Sequence, residues 1–150
     1  WYAARGLAAA LLSMELRFSQ VDFAMRTAIP TGLLAYGRQP LMLMRNCPLR
    51  AQGGCRGTAK NRTLTDRKGV SFPVRCDAPG GVCAENCSEL LNAVPLYLAD
   101  RLEEIPPLDF LLLHFTDELP EQAKELLCAY RAGGPPREGI TRGLYRRGTE

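Results

Sequence analysis

The sequence predicts an α/β fold with a cysteine-rich insert. Three observations predict it. Leu108–Thr116 is a nearly unbroken apolar run that leads straight into an amphipathic helical pattern. Thr31–Tyr36 is a second apolar run of strand length. Between them lies Asn46–Cys87, a Cys-rich insert whose first part, Asn46–Lys60, is rich in Gly, Cys and Arg. Continuous apolar strands suit a parallel sheet covered on both faces, and a strand that feeds a helix is a β/α unit.

Taken in order, Leu11–Leu16 reads as a short buried strand and Phe18–Thr27 as a short helix with Phe18, Val21 and Met25 inward. Thr31–Tyr36 and Pro40–Met44 are strand-length runs split by Gly37-Arg38-Gln39, with Met42 and Met44 read as core residues. Asn46–Lys60 reads as a loop. Thr63–Thr65 and Val70–Val74 flank Asp66-Arg67-Lys68-Gly69, which predicts a hairpin. Pro79-Gly80-Gly81 is a turn, and Leu96–Glu104 reads as helical. Asp117, Glu118 and Glu121 open the last helix, where acids favour its positive end. Its apolar stripe is Ala123, Leu126, Leu127 and Tyr130, with Cys128 off the stripe, and Gly133-Gly134 ends it. Gly139–Gly148 is a basic tail with no core pattern.

A chain of 150 residues suits one domain with a real core. Trp1–Leu12 has neither a basic start nor a cleavage site, so no signal peptide is read, and the chain is taken as a C-terminal fragment of a longer protein. No apolar run approaches the roughly 18 residues of a membrane span. The six cysteines are clustered rather than spread, which fits cytosolic thiols better than a secreted disulfide framework. The expected setting is cytoplasmic.

Charge is segregated along the chain. Arg38–Arg75 carries nine Lys/Arg against one acid, Asp66, whereas Asp77–Glu125 carries eleven Asp/Glu against Arg101 and Lys124. The net +3 hides this asymmetry. Arg outnumbers Lys sixteen to three, and the guanidinium fork matches phosphate oxygens. Arg38, Arg45, Arg50, Arg56, Arg62, Arg67 and Lys68 are the candidate RNA-binding residues. The bland alternative is a solvated basic loop or one docked on the chain's own acids. Only Tyr36 and Phe72 are aromatic nearby, so base-stacking platforms are not evident.

The cysteines 47, 55, 76, 83 and 87 are irregularly spaced and lack the paired knuckles of a zinc ribbon. Iron–sulfur sites tolerate such spacing because their ligands converge from loops, and nearby Arg would favour the thiolate. Buried structural thiols are the alternative. His114 is the single histidine and reads as a structural group near a strand end. No nucleophile–base pair can be assembled, so catalytic residues stay unassigned.

Several short tracts occur in a specific order: Tyr36-Gly37-Arg38-Gln39-Pro40-Leu41-Met42, Asn46-Cys47-Pro48, Gly54-Cys55, Leu64-Thr65-Asp66-Arg67-Lys68-Gly69, Phe72-Pro73-Val74, and Glu89-Leu90-Leu91-Asn92-Ala93-Val94-Pro95-Leu96. Phe115-Thr116-Asp117-Glu118 and Thr141-Arg142-Gly143-Leu144-Tyr145 complete them. Together they resemble the C-terminal region of the collagenase-like peptidase family U-thirty-two, from about Leu12 to Gly148. The resemblance implies the last β/α units of a TIM-type barrel, with an insert at about 46–87 and the N-terminal barrel half supplied by the rest of the same protein. It implies either collagenase-like peptidase activity or pyrimidine hydroxylation in tRNA or rRNA, with prephenate required and a link to iron–sulfur assembly. The cysteine and basic features agree better with the RNA role, and a non-catalytic RNA-docking module is the third reading. The implied ligands are Cys47, Cys55 and Cys76, with Cys87 ahead of Cys83 as the fourth, for an iron–sulfur cluster or, alternatively, zinc. Two departures stand out. Arg56-Gly57-Thr58 replaces a further family cysteine soon after Cys55, and the family's upstream motifs fall outside the chain.

Overall fold

A computed structural model describes residues 3–24, 28–45, 47–51, 62–76 and 88–146. The chain divides into two compact units. One is Trp1–Gly37 with Pro95–Glu150, and the other is Arg38–Val94.

The first unit is built on β2 (Thr31–Gly37), in which every residue is buried. Its neighbours are β1 (Ala10–Leu11), β7 (Leu96–Tyr97) and β8 (Phe110–His114). β8 pairs with β2 in parallel along its length. β1 (parallel, at Thr31–Gly32) and β7 (antiparallel, at Tyr36–Gly37) share the other edge. The register with β8 slips between Leu34 and Tyr36, so Ala35 is skipped. Gly32 lets the sheet close on β8, since a Cβ there would collide with the Phe110 ring and carbonyl. Leu33, Leu34, Ala35, Leu96, Leu98 and Tyr145 form one buried cluster, and Tyr36, Tyr97, Ala99, Leu126 and Ala129 form another. Tyr130 packs against both.

Two helices serve this unit. The helix α1 (Phe18–Ala24) buries Val21 and stacks Phe18 on Tyr145, with ring centroids 5.1 Å apart. The helix α3 (Pro120–Ala132) starts on Pro120, whose missing N–H costs nothing in the first turn. The Gln122 side chain there accepts from Leu119 N at 2.8 Å. Gly133, at φ 83°, ends it in a conformation that favours glycine. Leu126 and Ala129 face the core, while Leu127 and Cys128 are exposed.

The second unit is an antiparallel sheet in the order β3-β6-β5-β4, from β3 (Pro40–Met44), β4 (Thr63–Thr65), β5 (Ser71–Arg75) and β6 (Ser88–Leu91). A single helical turn, α2 (Pro48–Ala51), follows β3. Among the described residues its buried apolar side chains are Val74 and Leu91, joined by Cys47, Ser88 and Gln39.

This architecture corrects the barrel expectation. The chain is mainly β, with two sheets, eight strands and few helices among the described residues. A β/α barrel needs a closed ring of parallel strands, each followed by a helix. Here β7 runs antiparallel to the central strand, and the path from β2 to β8 runs through an antiparallel sheet instead of a helix. Apolar runs such as Thr31–Tyr36 and Leu108–Thr116 look the same in a barrel and in a small mixed sheet.

Smaller corrections share a cause in local chemistry. The strand expected at Leu11–Leu16 stops at Leu11, because Ser13 turns the chain: its hydroxyl accepts from Glu15 N at 3.3 Å and its carbonyl from Leu16 N at 3.2 Å. Leu96–Glu104 is the two-residue β7 plus a 3-10 turn at Ala99–Glu104, broken at Arg101 (φ −144°, ψ 37°). Met42 is 56% exposed, and Leu41 and Leu43 beside it are exposed too, so neither face of β3 is covered among the described residues. The tail is not coreless: Tyr145 is among the most buried residues, and Tyr97 N and Thr141 N fix the tail by bonds to Thr141 O and Pro95 O. Met25 lies outside the described residues.

Among the described residues, no helix is long and apolar enough to cross a membrane.

Candidate metal and RNA-binding site

The candidate residues concentrate in the second unit. Cys47 sits between β3 and α2, is buried, and accepts from Ala51 N through its carbonyl at 3.1 Å. Proline at the next position fixes the start of that turn. Cys76 directly follows β5 and is half-buried. Cys55, Cys83 and Cys87 lie outside the described residues. The described part thus contributes two of the four thiols assigned to a cluster. Among the described residues, no group of three or more His, Cys, Asp or Glu side chains converges as a metal site requires. A cluster in this unit therefore needs Cys55 and Cys87, or Cys83, to complete it.

The basic residues separate by environment. Arg38 is half-buried, and its Nη1 donates to the carbonyls of Asn92 (3.1 Å) and Ala93. Gln39 O accepts from Asn92 N at 2.8 Å, so these contacts tie the first residues of the unit to its last. Arg62 is half-buried, and its carbonyl accepts from Val74 N at 2.8 Å. Arg45 is exposed. Arg50 lies on α2. Arg56 lies outside the described residues. Arg67 and Lys68 are exposed at the tip of the β4–β5 hairpin.

That hairpin forms where the sequence places it, because Asp66 builds the turn. Its Oδ1 accepts from Lys68 N at 2.8 Å and Val70 N at 2.9 Å. Asp66 N donates to Val70 O, and Gly69, at φ 82°, donates from its N to Asp66 O. Thr65 and Ser71, paired across the strands, bring their hydroxyls to 3.2 Å.

Two site features were not read from the sequence. Arg75 and Glu89 pair at 2.8 Å because β5 and β6 place them opposite each other. The sequence signal was slight: Glu89 stands beside Leu90 and Leu91, and opposite charges across a strand pair are favourable. Ser88 is 2% exposed, and its Oγ finds no hydrogen-bond partner among the described residues.

The electrostatic division follows the units. Arg38–Val94 holds nine Lys/Arg and four Asp/Glu, a formal +5. The remainder holds ten and twelve, a formal −2. In the first unit four cations are paired with its own acids. Arg142 grips Asp100 through both nitrogens at 2.5 and 2.7 Å and donates to Tyr97 O at 2.7 Å. Arg146 and Arg101 bind Glu104, and Arg137 binds Glu125 at 2.5 Å. His114 ends β8 opposite Gly37.

No family model matches the chain, and no curated protein or solved structure does either.

Proposed function

We propose that the chain is an RNA-modifying protein that serves pyrimidine hydroxylation in tRNA or rRNA, in the cytoplasm, and that depends on an iron–sulfur centre. The observation that carries this reading is the +5 unit, which also contains five of the six cysteines. Dense guanidinium charge suits a phosphate backbone. The same charge favours the deprotonated thiols that an iron–sulfur centre requires. The order of short tracts that resembles family U-thirty-two admits this role beside the peptidase one.

In this reading Cys47, Cys55, Cys76 and Cys87 hold the centre, which supplies one-electron chemistry when bound; zinc is the alternative occupant. Arg45, Arg50, Arg56, Arg62, Arg67 and Lys68 hold RNA, and Arg38 secures the ends of the unit through the Asn92 and Ala93 carbonyls. Mass spectrometry of nucleosides from cells lacking the gene tests the proposal. A hydroxylated pyrimidine should disappear and return on complementation. Unchanged nucleosides with lost peptide cleavage would instead establish the peptidase reading. Unchanged nucleosides with retained RNA binding would leave a docking module.

A further inference from the structure

We propose that the tip of the β4–β5 hairpin is the element that grips the RNA phosphate backbone, with Arg67 and Lys68 as the contacting cations and Asp66 as the residue that positions them. This inference rests on the RNA reading above and adds to it a defined binding element.

Among the described basic residues of this unit Arg45, Arg67 and Lys68 are exposed, and of these the hairpin presents two adjacent cations on a hydrogen-bonded turn. Arg38 is spent on backbone carbonyls, Arg75 on Glu89, and Arg62 is half-buried. Arg67 and Lys68 are adjacent, exposed, and without an ion pair among the described residues. Their backbone is already fixed. Four hydrogen bonds of 2.8–3.1 Å close the turn between Asp66 and Val70, two of them to one oxygen of Asp66. A contact loop that is ordered before binding avoids the entropy cost of ordering on the ligand. Thr63, Thr65 and Ser71 flank the tip as exposed hydroxyl side chains that can also donate to phosphate oxygens.

Asp66 sharpens the argument. In a unit that attracts polyanions, a carboxylate beside Arg67 and Lys68 weakens the local field. As an anchor for two amides, it has a geometric role that outweighs this. Charge alone and geometry therefore predict opposite signs for its removal.

The test is fluorescence anisotropy of the full chain with a labelled single-stranded oligouridylate across a salt series. Arg67→Ala and Lys68→Ala should each weaken binding about tenfold, the effect of one charge-assisted contact. The double variant should flatten the salt slope by about 1.4, the loss of two phosphate contacts on a single strand. Asp66→Ala should bind more weakly than wild type although the net charge rises. Asp66→Asn makes the same charge change but keeps an oxygen acceptor, and it should bind at least as tightly as wild type. Thermal melts establish that each variant is folded. If wild type binds and the Arg67 and Lys68 variants match it, or if Asp66→Ala and Asp66→Asn behave alike, the hairpin inference is wrong and the RNA reading stands. If wild type does not bind, the hairpin inference falls, and the RNA reading is decided by the nucleoside analysis above.

Discussion

The phenol of Tyr130 donates to the carbonyl of Ala35 at 2.6 Å, at the one residue of β2 that β8 skips. The same oxygen accepts from Leu98 N at 2.8 Å. Nearby, Tyr145 donates to Leu34 O at 2.7 Å. Two tyrosines from distant parts of the chain thus bind backbone carbonyls of β2 at and beside the register slip. Tyr130→Phe removes both of its bonds and leaves Leu98 N and Ala35 O unpaired. The expected loss is about 2 kcal/mol, the range for orphaned buried groups. In a chain of this length that lowers Tm by roughly 4–8 °C. Tyr145→Phe removes one bond and should cost about half as much. Circular dichroism melts of both variants check the ranking.

The same tyrosines predict alkaline sensitivity. Burial is the main cause that raises the titration of Tyr36, Tyr130 and Tyr145 well above the ordinary tyrosine value, and the Glu118 carboxylate bonded to Tyr36 at 2.7 Å adds to it there. The folded chain holds these protons more tightly than the unfolded chain. Their contribution is therefore complete below pH of about 10 and is lost as pH rises beyond it. Denaturant midpoints should hold steady up to about pH 9.5 and then fall steeply. Tyr36→Phe should flatten that fall.

Arg142 fastens the tail by its fork on Asp100 and its bond to Tyr97 O. Asp100 is held below the ordinary carboxylate range, chiefly by that fork. A depressed carboxylate stabilises the fold above its unfolded value, and the benefit is lost as pH falls below about 4. Arg142→Ala should cost about 2 kcal/mol, since the Asp100 side chain is only 6% exposed and would lose its cation. It should also flatten the acid limb of the stability profile. Arg142→Lys should restore little, because an ammonium cannot reproduce the paired geometry. Chemical denaturation at pH 7 and pH 3 separates these outcomes.

How much of this was legible depends on the range of the interaction. The hairpin was readable because Asp66 and Gly69 carry its turn chemistry within five residues. The helix α3 was readable from Leu126, Tyr130 and the paired glycines after it. Positions 31–36 and 110–114 were readable as strands, but only the first is buried: β8 is half-buried with Leu112 exposed, and the partners of both were not readable. Nothing local distinguishes a barrel strand from one flanked by β1, β7 and β8. The tail failed for the same reason: Tyr145 is a lone aromatic among basic residues, and residues far away in sequence, Leu34, Leu96, Leu98 and Phe18 among them, make it core. In the candidate site, the cysteines and charges were legible as composition. The diversion of Arg38 and Arg75 into structural bonds was not, because it depends on which strand faces which.

The thiols of the basic unit carry the central claim, and metal analysis of the full chain after anaerobic reconstitution tests it most directly. Bound iron and sulfide with visible charge-transfer absorption are expected, sharply reduced in Cys47→Ser, Cys55→Ser and Cys76→Ser and unchanged in Cys128→Ser, whose thiol is exposed on α3. No bound iron, or Cys47→Ser and Cys55→Ser variants that hold as much as wild type, would contradict it.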